Sequence, residues 1–214
     1  MSQCQCKAID ATFDHTLADQ QLRRFHRRGP QKTTRLLLEA LRARGVQGSK
    51  LLDIGGGVGA IQQDLLAAGA SEATSVDASA AYLAVSRAAA DRLGLGGRVR
   101  YYHGNFVDLA PSIPAADIVT LDRVICCYDE MEALVGVSAA RAARLYGVVF
   151  PRRSWWVRLG IAALNLSLLV RGNPFRVFNH ATVAVEKVIR AQGLARVYHR
   201  AAGMWQVALY ERSA

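Results

Sequence analysis

The sequence predicts an α/β fold: a doubly wound, mostly parallel sheet of seven strands, preceded by helices. Three observations support it. An apolar run, Leu51–Ile54, is followed by a glycine turn and a helical stretch, which is the start of a βαβ unit. Strand-like and helical segments then alternate as far as residue 150, and this alternation indicates a parallel sheet with helices on both faces. Two strands over 195–210 are joined tightly enough to form an antiparallel hairpin.

The elements follow one another in a simple order. After a loose lead-in over residues 1–14, helical sequence runs from about Leu17 to Arg44 and breaks at Arg28-Gly29-Pro30. Strands are predicted at 51–54, 73–76, 99–103, 117–121 and 146–150, and helices at 60–68, 80–93 and about 130–144. The fourth strand is continuously apolar, as expected for burial on both faces. Beyond Pro151 come an apolar helix ending at Val170, a helix over 182–192, and strands at 195–199 and 205–210.

Length favours one domain, because 214 residues are enough to bury a core. We expect it to have four parts: an N-terminal helical lid or extension (1–48), a cofactor-binding core (49–150), an apolar cap insert (151–180), and a C-terminal helix with the hairpin (181–214). The sequence shows neither the pattern of a signal peptide nor an apolar stretch long enough to span a membrane, so a cytoplasmic location is expected.

Charge and cysteine content leave alternatives open. A net charge of +10 suits nucleic acid, anionic lipid or an acidic substrate. However, only four of the 27 basic residues are lysine, and an excess of arginine and alanine also follows from genome composition. The cysteines lack the spacing of a zinc site, so we expect free thiols and no metal; they are Cys4, Cys6, Cys126 and Cys127.

The glycine turn is a cofactor site with two interpretations. Gly55-x-Gly57-x-x-Ala60 fits the dinucleotide fingerprint, which would place a nicotinamide cofactor here. Asp53 favours the other interpretation, because a carboxylate just before the first glycine repels a pyrophosphate but suits the ammonium and sulfonium groups of S-adenosylmethionine. Asp77, at the end of the second strand, can accept hydrogen bonds from both ribose hydroxyls of either cofactor.

These motifs resemble the class I S-adenosylmethionine-dependent methyltransferases over about residues 50–150. The stretch Asp53–Gly59, DIGGGVG, matches the family motif D-x-G-x-G-x-G, and Asp77 matches the acidic end of the second strand. The resemblance implies S-adenosylmethionine as the cofactor, with Asn105 at a position where the family usually has aspartate. Residues expected to hold the cofactor, besides the two aspartates, are Gly55, Gly56, Gly57, Asn105, Phe106, Asp122 and, as part of a lid, Arg28.

A closer likeness rests on three further segments. LDRVICCY (121–128), FPRRSWW (150–156) and GMWQVALYER (203–212) resemble a bacterial group of small methyltransferases. That group is distantly similar to magnesium-protoporphyrin O-methyltransferase. The likeness does not transfer a substrate.

Few residues are candidates for the chemistry. Methyl transfer needs alignment and exclusion of water, and it needs a base only where the acceptor must lose a proton. Tyr128 and His180 are the candidate catalytic residues, while Asp122 is interpreted as structural or cofactor-orienting. Three arginines can pair with an acidic substrate, unless they belong to an ordinary solvated face: Arg123, Arg152 and Arg153.

The apolar insert over Trp155–Phe178 has three interpretations: a cap over a hydrophobic substrate, a core helix, or an interfacial helix against a membrane, flanked by arginines. We rank the core and cap interpretations first and membrane contact second. The leading function is a methyltransferase acting on a small, hydrophobic or acidic molecule. The alternatives are an RNA or protein methyltransferase, a nicotinamide oxidoreductase, and a non-catalytic cofactor-binding scaffold protein. No Asn-Pro-Pro-Tyr loop follows the fourth strand, which argues against amino targets of nucleic acids and proteins. Nucleic acid is not expected as a partner, and the oligomeric state stays open.

Overall fold

The computed structural model of the protein describes residues 3–213, with the side chains of residues 7–213. Its centre is a seven-stranded sheet in the order β3-β2-β1-β4-β5-β7-β6. The strands are β1 (Lys50–Ile54), β2 (Glu72–Asp77), β3 (Val99–His103), β4 (Ala116–Asp122), β5 (Ala142–Pro151), β6 (Leu194–Ala202) and β7 (Trp205–Arg212). The helices are α1 (Gln3–Thr12), α2 (His15–Arg28), α3 (Lys32–Arg42), α4 (Ala60–Ala67), α5 (Ala80–Arg92), α6 (Phe106–Leu109), α7 (Met131–Ala140), α8 (Trp155–Val170) and α9 (Thr182–Ala191).

The pairing of the strands confirms the predicted fold class. Strand β1 lies between β2 and β4, and β3 and β5 extend the sheet on either side, with all four pairings parallel. Strand β7 is antiparallel to both β5 and β6, so the predicted hairpin closes one edge. The parallel strands of the sheet are therefore centred on β1, and their carboxyl ends lie along one edge of the sheet.

Both faces of the sheet are covered by helices, as a doubly wound sheet requires. Successive residues of β1 point to opposite faces, and Leu51 and Leu52 accordingly belong to different hydrophobic clusters. The Leu51 cluster contains Leu37 of α3 and Leu65 of α4. The Leu52 cluster contains side chains of α7 and α9. This double cover explains why the predicted strands are apolar runs with little alternation.

The structure differs from the predicted elements at two places. The helix predicted over about 130–144 ends at Ala140, and β5 begins at Ala142, where it pairs with Ala116 of β4. Sheet pairing here overrides a stretch with good helix propensity.

The second difference is at the start of the chain, where α1 replaces the predicted loose lead-in. The helix is held against the rest of the protein by contacts at its C-terminal half. The Ala80 amide donates to the Asp10 carboxylate at 3.0 Å, and the Ser79 hydroxyl donates to the Phe13 carbonyl at 2.7 Å. Within residues 3–213, no helix is long and apolar enough to cross a membrane.

Candidate active site

A cavity lies beyond the carboxyl ends of β1, β2 and β4, where a parallel sheet of this kind binds its ligand. It has a wide part of about 370 Å³. A narrow arm of about 80 Å³ adjoins it. Gly55, Gly57, Asp122 and Arg123 line both parts, so the two form one continuous cleft around the glycine turn.

The glycine turn has a shape that only glycine allows. Gly55 has a φ of 64°, in the left-handed region that disfavours other residues. Its amide donates to the Val76 carbonyl at 2.7 Å, which ties the turn to β2. A Cβ at Gly55 would collide with the Val124 side chain, and one at Gly56 would lie 2.7 Å from a carboxylate oxygen of Asp53. The backbone therefore forms the cavity wall directly at these two glycines.

Asp77 ends β2 on the wall of the wide part of the cavity. Each of its carboxylate oxygens accepts one backbone N–H, from Gly57 at 3.1 Å and from Ser79 at 2.9 Å. Burial raises the pKa of this carboxyl, and the two amide donors lower it in part. Since a carboxylate oxygen can accept more than one hydrogen bond, Asp77 holds the glycine turn and retains capacity for a ligand hydroxyl.

Asp53 lies deeper than the sequence suggests, with 1% of its surface exposed. Its oxygens accept from the Thr120 hydroxyl at 2.7 Å and from the Gln62 amide at 3.1 Å. Burial raises its pKa to about 7, and the two donors oppose this shift. Asp53 borders the narrow arm, and both of its oxygens already accept hydrogen bonds from the protein.

Asp122 ends β4 and is held from two sides. The Thr34 hydroxyl of α3 donates to it at 2.5 Å, and the Arg123 guanidinium donates from 3.0 Å. Arg123 has a φ of 64°, the one positive φ of a non-glycine residue within residues 3–213. This strained backbone places Asp122 and Arg123 side by side at the junction of the two parts of the cavity.

Asn105 and Phe106 also line the wide part, but their side chains are largely committed to the protein. Asn105 caps α6 by accepting from the Val107 amide, and its own amide donates to Asp108 at 2.9 Å. Phe106 is buried in the core cluster around Leu52. An adenine contact at these residues stays a prediction.

The two candidate catalytic residues are placed differently. Tyr128 lines the cavity, yet it is buried and its hydroxyl donates to Asn105 at 2.9 Å. His180 lines neither part of the cavity, and its Nε2 lies 2.7 Å from the Tyr128 carbonyl. Because a carbonyl only accepts, Nε2 carries the proton and donates it there. His180 therefore secures the loop after β4, and the structure does not support it as a base.

Three of the arginines named from the sequence lie outside the cavity. Arg28, Arg152 and Arg153 are exposed, and none lines either part. One turn earlier than Arg28, Arg24 borders the narrow arm. The role of Arg28 as a lid residue stays a prediction, and Arg24 is the arginine of α2 that borders the narrow arm among the described residues.

The outer wall of the wide part comes from segments distant in sequence. The insert contributes Ile161 and Leu164 of α8 and, from the loop that follows, Phe175 and Val177, which line the same cavity as Asp122 and Tyr128. This is the placement that the sequence predicted for the insert, while its action as a cap stays a prediction.

The N-terminal segment contributes a wall that sequence reasoning missed. Ile9 of α1 and Phe13 line the wide part. The Phe13 ring contacts Tyr82 and Phe175 edge-on, with centroids 5.9 and 5.5 Å apart. The four-residue spacing of Ile9 and Phe13, which puts both on one helix face, was the available signal.

Comparison with known proteins agrees with this geometry. Residues 51–145 match the methyltransferase domain family. The structure is similar to magnesium protoporphyrin IX methyltransferase from Synechocystis with bound S-adenosylhomocysteine, with a TM-score of 0.69, 20% identity, and coverage of 85% of this chain and 82% of that one. No curated protein matches the sequence.

Two further solved structures have the same fold. One is an O-methyltransferase family protein from Burkholderia thailandensis, with a TM-score of 0.67, 21% identity, and coverage of 85% of this chain and 56% of that one. The other is an O-methyltransferase family 2 protein from Planctomyces limnophilus in complex with apigenin, with a TM-score of 0.62, 16% identity, and coverage of 87% and 63%.

The sheet order, the glycine turn and the cleft beyond the strands define a class I S-adenosylmethionine-dependent methyltransferase fold. Residues 51–145 match the methyltransferase domain family, and the cofactor that this match implies is S-adenosylmethionine, as the sequence predicted. The residues present fit that cofactor: the cleft is lined by bare backbone at Gly55 and Gly56 and by a carboxylate with spare acceptor capacity at Asp77.

Proposed function

We propose that the protein transfers a methyl group from S-adenosylmethionine to a small, largely apolar molecule that carries an acidic group. The observation that carries this proposal is the wall of the wide cavity. Side chains of α1, α8 and the loop after α8 make it apolar and aromatic, and it opens onto the glycine turn. Ligand sites in proteins are mostly apolar, with a few polar groups that fix orientation.

The division of the cleft suggests how the cofactor is held. The narrow arm, with Asp53 and Arg24 on its border, suits the ammonium and carboxylate ends of the methionine part. Asp77 suits the ribose hydroxyls, and Asn105 and Phe106 suit the adenine. When bound, the cofactor supplies an electrophilic methyl group on a sulfonium, and the displacement leaves a neutral thioether. The remaining volume of the wide part is then the acceptor site.

The acidic character of the acceptor follows from the proton acceptors in the cavity. Asp77 is assigned to the glycine turn and the ribose hydroxyls, Asp122 accepts from Thr34 and Arg123, and the Tyr128 hydroxyl donates to Asn105. None of these groups is placed to take a proton from an alcohol. An acceptor that is already ionised needs no base, so a carboxylate or another anion fits this site.

Arg123 favours the same acceptor. Among the described residues that line the wide part, it is the one cationic side chain. Its side chain is 29% exposed, so it can still receive an anion beside its bond to Asp122. Arg123 therefore orients the acidic group of the acceptor next to the glycine turn.

Two measurements test the proposal in sequence. Calorimetry with S-adenosylhomocysteine and with NADH tests the cofactor, and binding of NADH alone would contradict it. Transfer of labelled methyl groups to a panel of aromatic and aliphatic carboxylic acids, with their primary amides as controls, tests the acceptor. We expect label in the acids and none in the amides or in RNA. Cofactor binding without transfer to any acceptor would favour the non-catalytic scaffold protein instead.

A matched pair of variants tests where the acceptor binds. Leu164 lines the cavity, whereas Leu166, two residues along the same helix, is 62% exposed and lines neither part of the cavity. Leu164→Trp should fill the acceptor site and lower the rate of transfer without changing the affinity for S-adenosylhomocysteine. Leu166→Trp should leave both unchanged. Equal rates in the two variants would place the acceptor elsewhere.

A further inference from the structure

Helix α8 has an apolar face directed at solvent. Five large apolar side chains on it are between 59% and 79% exposed: Trp155, Leu159, Leu166, Leu169 and Val170. They recur at a spacing of four, eleven, fourteen and fifteen residues from the first, which places them on one side of a helix of 3.6 residues per turn. Val157 and Ile161, on the opposite side, are the buried residues of α8.

This arrangement reverses the usual pattern of a surface helix. A helix on the surface of a globular protein turns its apolar stripe inward and its polar residues outward. The outward side of α8 carries no acidic residue and has Arg158 at its edge, and its two alanines, Ala162 and Ala163, are also exposed. A contiguous exposed patch of this kind marks an interaction surface.

The charges around the patch are all of one sign. Arg152 and Arg153 precede α8, Arg158 lies in its first turn, and Arg171 follows it directly. All four are exposed. The sequence contains no aspartate or glutamate between residues 133 and 185. The apolar patch is therefore framed by cations at both ends, without compensating acids on the same segment.

This charge pattern discriminates between occupants. A second copy of the chain packed on α8 would bring Arg152 and Arg153 close to Arg171 in an antiparallel pair, or close to themselves in a parallel one. Like charges brought together in this way oppose association. An anionic lipid surface offers apolar chains to the leucines and negative headgroups to the arginines at the same time.

We propose that α8 with its flanking arginines, Arg152–Arg171, is a docking face that lies in the headgroup region of an anionic bilayer. The 16 residues of α8 are too few to span a bilayer but suffice for a helix lying in its plane. Trp155 and Trp156 at the start of the helix are the aromatic type enriched at membrane interfaces. Docking in this orientation puts the cavity wall at Ile161 and Leu164 about one helix diameter, roughly 10 Å, from the lipid.

The docking face goes beyond the proposed methyl transfer and is tested without an activity readout. The full chain is mixed with two kinds of vesicle that differ in surface charge. One is phosphatidylcholine with about a third phosphatidylglycerol, and the other is phosphatidylcholine alone. Sedimentation with the vesicles measures binding, and the blue shift of tryptophan emission reports entry of Trp155 and Trp156 into an apolar phase. We expect binding and a blue shift with the anionic vesicles, both weakened by salt.

Single substitutions locate the contact. Leu159→Ser should lower the partition coefficient at least about tenfold, because a buried leucine side chain is lost from the lipid. Leu93→Ser is the matched control, since Leu93 follows α5 and is 58% exposed. Arg153→Gln should lower binding to anionic vesicles about fivefold, and Arg92→Gln, at the end of α5, should not. Binding of S-adenosylhomocysteine shows that each variant is folded.

Each alternative occupant gives a different result. No binding to anionic vesicles would overturn the proposal. Equal losses in Leu159→Ser and Leu93→Ser would overturn the assignment to α8. A chain that is dimeric in solution, becomes monomeric with Leu159→Ser and ignores vesicles would show that a second copy covers this face. Binding to neutral and anionic vesicles alike would overturn the role of the arginines.

Discussion

The two sides of the cleft are stabilised by different kinds of interaction. On the cofactor side, hydrogen bonds hold the carboxylates of Asp53 and Asp77 in place against the glycine turn and the neighbouring strands. On the acceptor side, α1, α8 and residues 173–178 meet through apolar contacts and a few bonds, such as the pair between Asn165 and the Val177 backbone at 2.8 and 2.9 Å. The geometry of the cofactor side is set by residues close together in the sequence, whereas that of the acceptor side is set by packing between distant segments.

Because of this difference, the acceptor side can change more than the cofactor side without loss of the fold. The cofactor side uses the backbone itself as the binding wall, so single substitutions there should be costly. The acceptor side presents side chains whose exchange leaves the sheet intact. We expect perturbations of the cofactor side to alter both stability and affinity, and perturbations of the acceptor side to alter one or neither.

Replacing Gly55 is the largest such perturbation. Gly55→Ala adds a Cβ that collides with Val124 at a φ of 64°. Left-handed strain and overpacking should together lower the free energy of unfolding by about 2–5 kcal/mol, and the affinity for S-adenosylhomocysteine should fall at least about 100-fold as the turn moves. Denaturant unfolding and calorimetry measure the two effects.

Gly160 of α8 provides the control for the same substitution on the acceptor side. A Cβ there has no neighbour within 4 Å. Gly160→Ala should therefore stabilise the protein by about 0.5–1 kcal/mol through helix propensity and leave cofactor affinity unchanged. A similar loss in both variants would remove the distinction between the two sides.

The second perturbation is pH, acting on Asp53. Burial raises the pKa of Asp53 from 3.8 to about 7, so the folded protein holds this proton more tightly than the unfolded chain. The resulting stability is complete below pH 4 and is lost as pH rises to about 7, by up to about 4 kcal/mol. Unfolding free energies between pH 4 and 8 should show this fall in the wild type and a smaller one in Asp53→Asn.

The ionisation of Asp53 should also make the affinity for S-adenosylhomocysteine depend on pH. The ammonium group of S-adenosylhomocysteine in the narrow arm would favour the ionised form of Asp53. Affinity should therefore rise as pH increases from 6 to 8, and this dependence should be absent in Asp53→Asn. A wild-type affinity that is flat across this range would show that the ammonium group lies away from Asp53.

A substitution of Asp77 tests the cofactor side with a smaller expected effect. Asp77→Asn keeps one oxygen as an acceptor and replaces the other, so it weakens both the contact to Gly57 or Ser79 and the capacity for ribose hydroxyls. We expect an increase in the dissociation constant of S-adenosylhomocysteine of about tenfold. Asp117→Asn is the control, because Asp117 accepts the Lys50 amide at the opposite end of the sheet. An equal effect of both variants would make Asp77 purely structural.

The smallest effect is expected at Tyr128. Tyr128→Phe removes the hydroxyl that donates to Asn105, and stability should fall by about 1 kcal/mol. The rate of methyl transfer should stay within about twofold, whereas loss of a general base costs about 100-fold or more. Tyr146→Phe, which removes a hydroxyl 2.8 Å from Ser138 in the core, is the matched control. A rate loss confined to Tyr128→Phe would restore Tyr128 as a base.

The sequence predicts the cofactor side better than the acceptor side for a physical reason. The glycine turn and Asp77 follow their strands directly, so local pattern places them at the carboxyl edge of the sheet. His180 has a backbone carbonyl 52 residues away as its partner, and no side-chain pattern indicates such a bond. The burial of Asp53 beneath Thr120 likewise depends on the neighbouring strand β4. Long-range packing sets the positions of these two side chains. Helix propensity alone likewise does not show that α1 packs against the cavity.

The strand order also has a consequence for protein synthesis. Strand β6 pairs with β7 and lies next to β5 only through β7, although it precedes β7 in the chain. During translation β6 leaves the ribosome before β7, the strand that lies between it and β5. Strand β6 then stays unpaired until β7, Trp205–Arg212, has left the ribosome and inserted between β5 and β6. A ribosome stalled before Trp205 would expose the open edge of β5 to other nascent chains.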